Sequence, residues 1–190
     1  KAAEQGYAAA EEKCRDRCAW QLPVRDERYY VMGANEAISL AAAYAGCRFI
    51  SAYPMTPSTG IITNLVHRQK ELGVFTEQAE DEIAAVNMVI GASFAGVRAL
   101  TATSGGGFCL MTEGLGLAGI TETPVVIINA QRPGPATGLP TRTAQGDLLF
   151  VINAAQDEFP RFVFAPRTAA EGYEIMGRAF DLSDKSQVPV

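Results

Sequence analysis

The sequence predicts an α/β fold with a mainly parallel sheet and helices on both faces. Strand-like and helix-like segments alternate regularly from about residue 31 onwards, at the spacing typical of βαβ units. The strand-like segments are nearly continuous apolar runs, which is the pattern of strands buried on both faces. The chain has 190 residues, 48% hydrophobic and 19% charged, the composition of about one globular domain.

The elements follow in a simple order. A charged N-terminal helix and the linker QLPVRDERYY come first, so we divide the chain into a segment over residues 1–30 and a domain over 31–190. The predicted helices are GANEAISLAAAYAG, TPSTGIITNLVHRQKELG, EDEIAAVNMVIGASFAG, GGGFCLMTEGLGLAGIT and TAAEGYEIMGRAFDLSDKS. The predicted strands are CRFISAYP, VFTEQ, RALTATS, PVVIINAQR and RFVFAP. RPGPATGLPTRTAQGD is a long loop, and loops of this length in compact domains are usually functional.

Both ends of the chain suggest a longer protein. The final residues, SQVPV, have the pattern of the first residues of another buried strand, and the chain opens directly on a charged helix. We therefore expect a fragment or subunit core whose domain is truncated at the C-terminus.

Charge and residue types exclude several functions. The net charge of −5 and the pI of about 5.0 argue against a nucleic acid partner. Neither a signal peptide nor a bilayer-spanning apolar run is visible, so we expect a cytoplasmic protein without a membrane partner.

Cys14 and Cys18 share a helical spacing but lack a second ligand pair, which disfavours a metal or cluster site and leaves their role open. The single histidine, His67, fits a helix surface, which disfavours a Ser-His-Asp mechanism.

Four polar or glycine-rich segments are expected at one edge of the sheet, because the carboxyl ends of parallel strands border the ligand crevice. They are SAYPMTPST, TEQAEDE, TSGGG and AQRPGPATG. Within TEQAEDE, the residues Glu80, Asp81 and Glu82 have a simple interpretation as a helix start, each contributing about 0.3–1 kcal/mol through the helix dipole. The helix that follows is apolar on every face, however, so a carboxylate in its first turn is expected to face protein rather than water.

Five motifs in order resemble the α subunit of 2-oxoacid:ferredoxin oxidoreductases, the family of the 2-oxoglutarate and pyruvate enzymes. They are AYPMTPST, EDEIAAVNMVIGASFAG, TATSGGGFCLM, PVVIINAQRPGPATGLPT and AQGD, and the resemblance covers roughly Val31 to the C-terminus. It implies the pyrimidine-binding domain of the thiamine diphosphate fold. It also implies oxidative decarboxylation of a 2-oxoacid with coenzyme A to acyl-CoA, CO₂ and reduced ferredoxin, by a complex of which this chain alone is inactive.

The resemblance implies roles for particular residues. Glu82 would be the catalytic residue, hydrogen-bonded to N1′ of the aminopyrimidine ring. Its pKa would be raised by desolvation and lowered by the helix dipole, and the sequence does not decide between them. The other implied site residues are Thr56 and Arg132 for the substrate, and Ser104, Gly105 and Gly106 for the cofactor.

Simpler interpretations stand beside these roles. Thr56 also fits a helix cap before Pro57, and Arg132 a solvated loop arginine. Thr141 and Arg142 are weaker candidates in a loop that is either inert or placed beside substrate or coenzyme A. The residues QGD at 145–147 fit a helix start better than a metal motif, so no metal ligand is expected on this chain.

The resemblance also implies partners. A β subunit with the diphosphate-binding domain would share the thiamine diphosphate and hold its Mg²⁺. Iron–sulfur clusters would lie on partner chains. AAEQGYAAAEE more loosely resembles a segment that follows a γ-type domain. The 2-oxoacid is not identified, although RPGPATGLPT slightly favours the 2-oxoglutarate group. Two alternatives stay open: the pyrimidine domain of another thiamine diphosphate enzyme, such as a transketolase-like enzyme or a decarboxylase, and a non-catalytic α/β assembly module.

Overall fold

The structure is a computed structural model that describes residues 1–14, 26 and 28–190. The chain divides into two compact units, Lys1–Val31 and Met32–Val190. In the first unit, α1 (Ala2–Cys14) buries none of its residues. Most of the predicted linker and Cys18 lie outside the described residues. The predicted helical spacing of Cys14 and Cys18 therefore cannot be compared with the structure.

The second unit is built on a sheet of four parallel strands in the order β2-β1-β3-β4. The strands are β1 (Phe49–Ala52), β2 (Phe75–Gln78), β3 (Ala99–Thr103) and β4 (Val126–Asn129). The helices are α2 (Ala34–Tyr44), α3 (Thr59–Leu72), α4 (Glu82–Phe94), α5 (Gly105–Ile120), α6 (Leu148–Asn153) and α7 (Ala169–Ser186). The predicted α/β fold with a parallel sheet is confirmed.

Two apolar clusters form the core, and they correspond to the two faces of the sheet. Helices α2, α3 and α7 supply one cluster, in which Leu65 and Phe180 are fully buried beside Ile50 of β1. Helices α4 and α5 supply the other, centred on Val86 and Met111. Burying a side chain of this size contributes about 1.5–3 kcal/mol, so the two layers hold the strand ends, and the loops that leave them, in fixed positions.

Turn and cap residues set the helix boundaries close to the predicted ones. Helix α3 ends at Gly73, whose φ of 64° lies in the left-handed region that glycine adopts without strain. Helix α7 begins after Thr168, whose hydroxyl accepts from the Glu171 N–H. None of the helices in the described part of the chain is both long and apolar enough to cross a membrane.

The predicted strand RFVFAP is wrong. Residues 161–166 belong to no strand of the described chain. The Phe162 N–H donates to Pro189 O (3.2 Å), and Phe164 packs against the core near Arg178. The apolar alternation therefore arises because side chains of an irregular segment are buried, and not because the segment pairs with a neighbouring strand. At the chain end, Val190 donates to Val125 O and accepts from the Ile127 N–H, the slanted pairing of a parallel ladder beside β4.

Candidate active site

The three acidic residues that precede and begin α4 lie in three different environments. Glu80 is exposed. Asp81 is the N-cap, and its carboxylate accepts a hydrogen bond from the Ala84 N–H (2.7 Å). Glu82 is the first helical residue and is 3% exposed. The interpretation as a helix start therefore applies to Asp81, whereas Glu82 faces the protein interior.

Glu82 has an unpaired carboxylate oxygen. Its Oε1 is buried and has no hydrogen-bond partner among the described residues. Desolvation by burial raises the pKa of Glu82, and the Asp81 charge adds to this, while a backbone hydrogen bond and the Arg132 charge lower it by less. Desolvation is thus the largest of these effects, and the pKa of Glu82 is raised overall. A carboxyl group in this state can hold a proton at a pH where an exposed glutamate has lost it.

The triple glycine that opens α5 lies directly against Glu82. A Cβ on Gly107 would overlap the Thr103 hydroxyl and come within 2.5 Å of Glu82 Oε1. A Cβ on Gly106 would lie 3.6 Å from Ala136 O, which is an ordinary contact. The sequence analysis named Gly105 and Gly106, but Gly107 is the glycine whose missing side chain makes room for the Glu82 carboxyl group.

Ser104 occupies the N-cap position of α5 without capping it. The residue is fully buried, its side chain makes no cap hydrogen bond, and its Oγ has no partner in the described structure. Buried polar atoms without partners are rare in folded proteins. Four of the five found among the described residues lie at the carboxyl ends of the strands or in the loops and helix starts that follow: Glu82 Oε1, Ser104 Oγ, Asn129 Oδ1 and Arg132 Nε. Their concentration at one edge indicates a ligand site.

The structure brings Arg132 and Thr56 together. Arg132 Nη1 donates to the Thr56 main-chain oxygen (2.9 Å), and the Arg132 charge is close enough to lower the pKa of Glu82. Arg132 lies in the loop but is half-buried, with its Nε buried and its Nη1 bonded to Thr56, so it is more constrained than a freely solvated loop arginine. The interpretation of Thr56 as a helix cap is wrong: Ser58 holds the N-cap position of α3, and Thr56 is exposed in the turn before it.

In the long loop, Asp147 makes contacts that its place at a helix start did not predict. Thr141 and Arg142 are exposed on the loop. Asp147 does stand at the N-cap position of α6, as the helix-start interpretation predicts, but its side chain does not cap that helix. Its carboxylate instead accepts from Asn129 Nδ2 (3.2 Å). The only sequence signal for this pairing was the position of Asn129 at the end of an apolar strand.

Comparison with known proteins finds similarity along most of the chain. The profile of the family described as "Pyruvate flavodoxin/ferredoxin oxidoreductase, thiamine diP-bdg" matches residues 40–190. A 2-oxoacid:ferredoxin oxidoreductase α subunit from Sulfurisphaera tokodaii is 45% identical over 178 residues, covering 87% of this chain and 28% of the relative. The 2-oxoglutarate synthase subunit KorA of Methanocaldococcus jannaschii is 42% identical over 159 residues, covering 84% of this chain and 43% of the relative. This chain thus spans less than half the length of these relatives.

A solved structure shares the fold closely. It is a 2-oxoglutarate:ferredoxin oxidoreductase from Magnetococcus marinus with 2-oxoglutarate, coenzyme A and succinyl-CoA bound. The two superpose with a TM-score of 0.90 at 36% sequence identity, over 98% of this chain and 33% of that one. The match extends over the sheet, both helical layers and the loops at the carboxyl edge.

Proposed function

Because this chain belongs to the pyruvate flavodoxin/ferredoxin oxidoreductase family, matching its thiamine diphosphate-binding domain, we propose that it forms the pyrimidine-binding part of the α subunit of a 2-oxoacid:ferredoxin oxidoreductase. The complete enzyme converts a 2-oxoacid and coenzyme A to acyl-CoA and CO₂ and passes two electrons to ferredoxin. The observation that carries the proposal is the buried Glu82 with its unpaired Oε1 and raised pKa. The relatives named for 2-oxoglutarate make it the first substrate to test.

The residues at the carboxyl edge fit the aminopyrimidine ring of thiamine diphosphate. A planar heterocycle with a ring nitrogen needs a polar group aimed at that nitrogen and a surface free of bulky side chains. Glu82 Oε1 is the unpaired polar atom, and Gly106 and Gly107 form a surface without side chains beside it. The buried Ser104 Oγ offers a second unpaired polar group next to the same glycines. The cofactor is therefore compatible with the groups that this chain leaves unpaired.

Glu82 would hold a proton at Oε1 and share it with N1′ of the bound ring. The chemistry that thiamine diphosphate supplies when bound is attack on the 2-oxo carbon and acceptance of the electrons left by the loss of CO₂. The burial of Glu82 excludes water, and the raised pKa brings the carboxyl group closer to the range in which proton transfer in both directions is efficient. Glu82 is thus the catalytic residue of this chain.

Arg132 and Thr56 would bind the 2-oxoacid. A guanidinium is suited to a carboxylate because its N–H groups form parallel, charge-assisted hydrogen bonds. Arg132 uses Nη1 to reach the Thr56 carbonyl, while its Nε is buried without a partner in the described structure. The contact orients the guanidinium, and the exposed Thr56 lies beside it for the substrate's oxo group.

The finished site requires partner subunits. Next to Glu82, the apolar side chain of Ile83 is 49% exposed, and Met88 and Leu110 on the same two helices are 42% and 49% exposed. Exposed large apolar side chains on the helices that carry the site support contact with another protein surface. We assign this role to the β subunit, which would carry the diphosphate-binding domain, its Mg²⁺ and iron–sulfur clusters. A γ-type domain and ferredoxin complete the assembly.

The test compares the full-length α chain, co-expressed with its β partner, with a Glu82→Gln variant. Reduction of a low-potential acceptor is followed with 2-oxoglutarate, pyruvate, a branched-chain oxoacid and an arylpyruvate, with and without coenzyme A. We expect kcat to fall by about 10²-fold or more, the size of a lost proton-transfer partner. The matched control is Glu80→Gln, which removes an exposed carboxylate two residues away and should leave kcat unchanged.

Two results would redirect the proposal. An active wild type with an equally active Glu82→Gln variant would make Glu82 a purely structural helix start and favour the non-catalytic module. Turnover of a 2-oxoacid that needs neither coenzyme A nor the acceptor would favour another class of thiamine diphosphate enzyme.

A further inference from the structure

The long loop between β4 and α6 is closed at its base by Asp147. The Asp147 carboxylate accepts a hydrogen bond from Asn129 Nδ2 (3.2 Å), and its main-chain N–H donates to Gln131 Oε1 (2.9 Å). Asn129 and Gln131 stand at the end of β4, before the loop, and Asp147 stands after it. The two hydrogen bonds therefore join the two ends of the loop, as in a compact Ω-loop.

The same carboxylate rests on the first residue of α5. A Cβ on Gly105 would lie 2.6 Å from Asp147 Oδ2 and 2.9 Å from Oδ1, so the carboxylate occupies the space that a side chain at Gly105 would take. The first turn of a helix has unpaired N–H groups and the positive end of the helix dipole, and both favour an anion there. We call Asp147 with its three neighbours Asn129, Gln131 and Gly105 the Asp147 clasp.

The Asp147 clasp lies next in sequence to Arg132, the residue assigned to substrate binding. Arg132 directly follows Gln131, and its guanidinium extends to the Thr56 carbonyl (2.9 Å). The main chain that carries Arg132 is therefore tied to β4 on one side and, through Gln131 and Asp147, to the start of α5 on the other. Without the Asp147 carboxylate, the main-chain hydrogen bond to Gln131 would remain, but the base of the loop would lose the hydrogen bond from Asn129 and the close contact with Gly105 at the start of α5.

We propose that Asp147 is a positioning residue that fixes the Arg132 loop on the N-terminus of α5, so that Arg132 is pre-oriented for the carboxylate of the 2-oxoacid. The inference rests on the proposed function, because Arg132 is the substrate-binding residue there. The proposed role of Asp147 requires no contact with substrate or cofactor. Its effect passes through Gln131 to Arg132, and a misplacement of about 1 Å in such a group can cost up to 10²-fold.

The test uses the full-length α chain assembled with its partner subunits. The variants are Asp147→Ala, Asp147→Asn, Asn129→Asp and the double exchange Asn129→Asp with Asp147→Asn. The control is Asp157→Asn, which changes an exposed carboxylate in a neighbouring loop. Steady-state kinetics give KM for the 2-oxoacid and kcat separately. Tryptic cleavage after Arg142 reports loop opening without any need for activity, since Arg142 is the only lysine or arginine between Pro133 and Gly146.

For Asp147→Ala we expect KM for the 2-oxoacid to rise by about 10-fold or more, with a smaller change in kcat, and cleavage after Arg142 to accelerate. Asn129→Asp should act similarly, because it sets two carboxylates against each other. The double exchange should recover most of both readouts, since the new amide donates to the new carboxylate. Asp147→Asn alone should have an intermediate effect, because it keeps an oxygen that accepts from Asn129 but removes the charge from α5.

The inference is overturned if Asp147→Ala keeps the wild-type KM, whether or not cleavage after Arg142 accelerates. It is equally overturned if the double exchange is no better than Asn129→Asp, since a clasp built on this hydrogen bond must tolerate its reversal. A wild-type enzyme without 2-oxoacid activity would overturn the proposed function, and this inference with it. An active wild type whose KM does not respond to Asp147 would overturn this inference alone.

Discussion

Arg98, at the amino ends of the strands, finds its partners within the chain, whereas several side chains at the carboxyl ends keep a buried polar atom that is unpaired among the described residues. Arg98, directly before β3, donates to Asp184 Oδ2 (2.7 Å), Asp181 Oδ1 (2.8 Å) and Ala45 O (2.6 Å), and it lies 5.7 Å from the centre of the Phe180 ring. A cavity of about 420 Å³ opens beside Arg98. None of the unpaired buried atoms of the described residues lines it, so cavity size alone is a poor guide to the site in this molecule.

The two ends of the strands differ in what their polar groups do: Arg98 at the amino ends stabilises the fold, whereas side chains at the carboxyl ends keep atoms free to bind a ligand. At the carboxyl ends, Glu82 Oε1, Ser104 Oγ, Asn129 Oδ1 and Arg132 Nε are buried and unpaired within the described chain. An unpaired buried polar group costs about 1–3 kcal/mol, so a site of this kind is maintained against the stability of the free chain. At the amino ends, Arg98 joins α7 to the sheet, and its hydrogen bonds contribute to stability.

Substituting the glycine that contacts Glu82 should produce the largest loss of activity. It would test whether the position of the Glu82 carboxyl group depends on this contact. We expect Gly107→Ala to lower kcat of the assembled enzyme by about 10²-fold, because the new methyl group displaces the Glu82 carboxyl group. Gly106→Ala is the matched control: its Cβ meets only an ordinary contact at 3.6 Å, so a much smaller change is expected. Equal activity of the two variants would show that Glu82 is not held by this contact.

The same glycines show what the sequence could and could not predict. The elements could be predicted because strands and helices follow local apolar patterns, and the burial of Glu82 followed from a helix that is apolar on every face. The particular role of Gly107 could not, because it depends on contacts with Glu82 and Thr103 across α4 and β3. The Asp147–Asn129 pair spans 18 residues and exists only through the path of the loop.

The direction of the Glu82 pKa shift and the strand at RFVFAP mark two other limits of sequence reasoning. Desolvation and the helix dipole act on Glu82 in opposite directions, and only the position of the side chain decides between them. At residues 161–166, apolar alternation correctly indicates that Phe162 and Phe164 are partly buried, but burial does not require a neighbouring strand. Local pattern predicts which side chains are inside, whereas backbone pairing depends on the whole sheet.

A substitution at the amino ends should lower stability and leave the chemistry intact. Arg98→Met keeps an apolar stem beside Phe180 but removes three charge-assisted or carbonyl hydrogen bonds. We expect a loss of about 1–3 kcal/mol in the free energy of unfolding, limited because water partly screens the exposed Asp181 and Asp184. The measurement is urea unfolding of the 190-residue chain, with kcat of the assembled enzyme measured in parallel.

Arg68→Met is the control for Arg98→Met. It breaks one longer ion pair, with Glu36 (3.2 Å), and its arginine is more exposed than Arg98, so a loss of about 0.2–1 kcal/mol is expected. If the Arg98→Met variant is fully folded and its kcat still falls, the residues at the amino ends of the strands also affect the chemistry, which would contradict the proposed contrast. A loss no larger than that of Arg68→Met would show that the Arg98 contacts do not stabilise the fold.

The smallest effect should be a gain of stability on neutralising Glu82, on the order of 1 kcal/mol at neutral pH. The pKa of Glu82 is raised in the folded chain, mainly by desolvation, so the folded state binds this proton more tightly than the unfolded state does. Its contribution to stability is therefore complete below the ordinary carboxyl pKa and declines as the pH rises through the raised value. Glu82→Gln cannot ionise, so its advantage over the wild type should be near zero at about pH 4, the ordinary carboxyl pKa, and should grow as the pH rises through the raised pKa of Glu82.

Urea unfolding of the 190-residue chain, without cofactor, at pH values from about 4 to 8 measures this difference directly. Glu80→Gln removes the same charge from an exposed position and corrects for any general effect of net charge. A Glu82→Gln chain that is less stable than the wild type at neutral pH, or whose gain does not vary with pH, would mean that the carboxylate is not desolvated. In that case Glu82 would not be a buried, unpaired carboxylate, and the contrast between the carboxyl ends of the strands and the Arg98 end would not hold. The expected result would instead show that the residue assigned to catalysis destabilises the free chain, as an unpaired group kept for a ligand must.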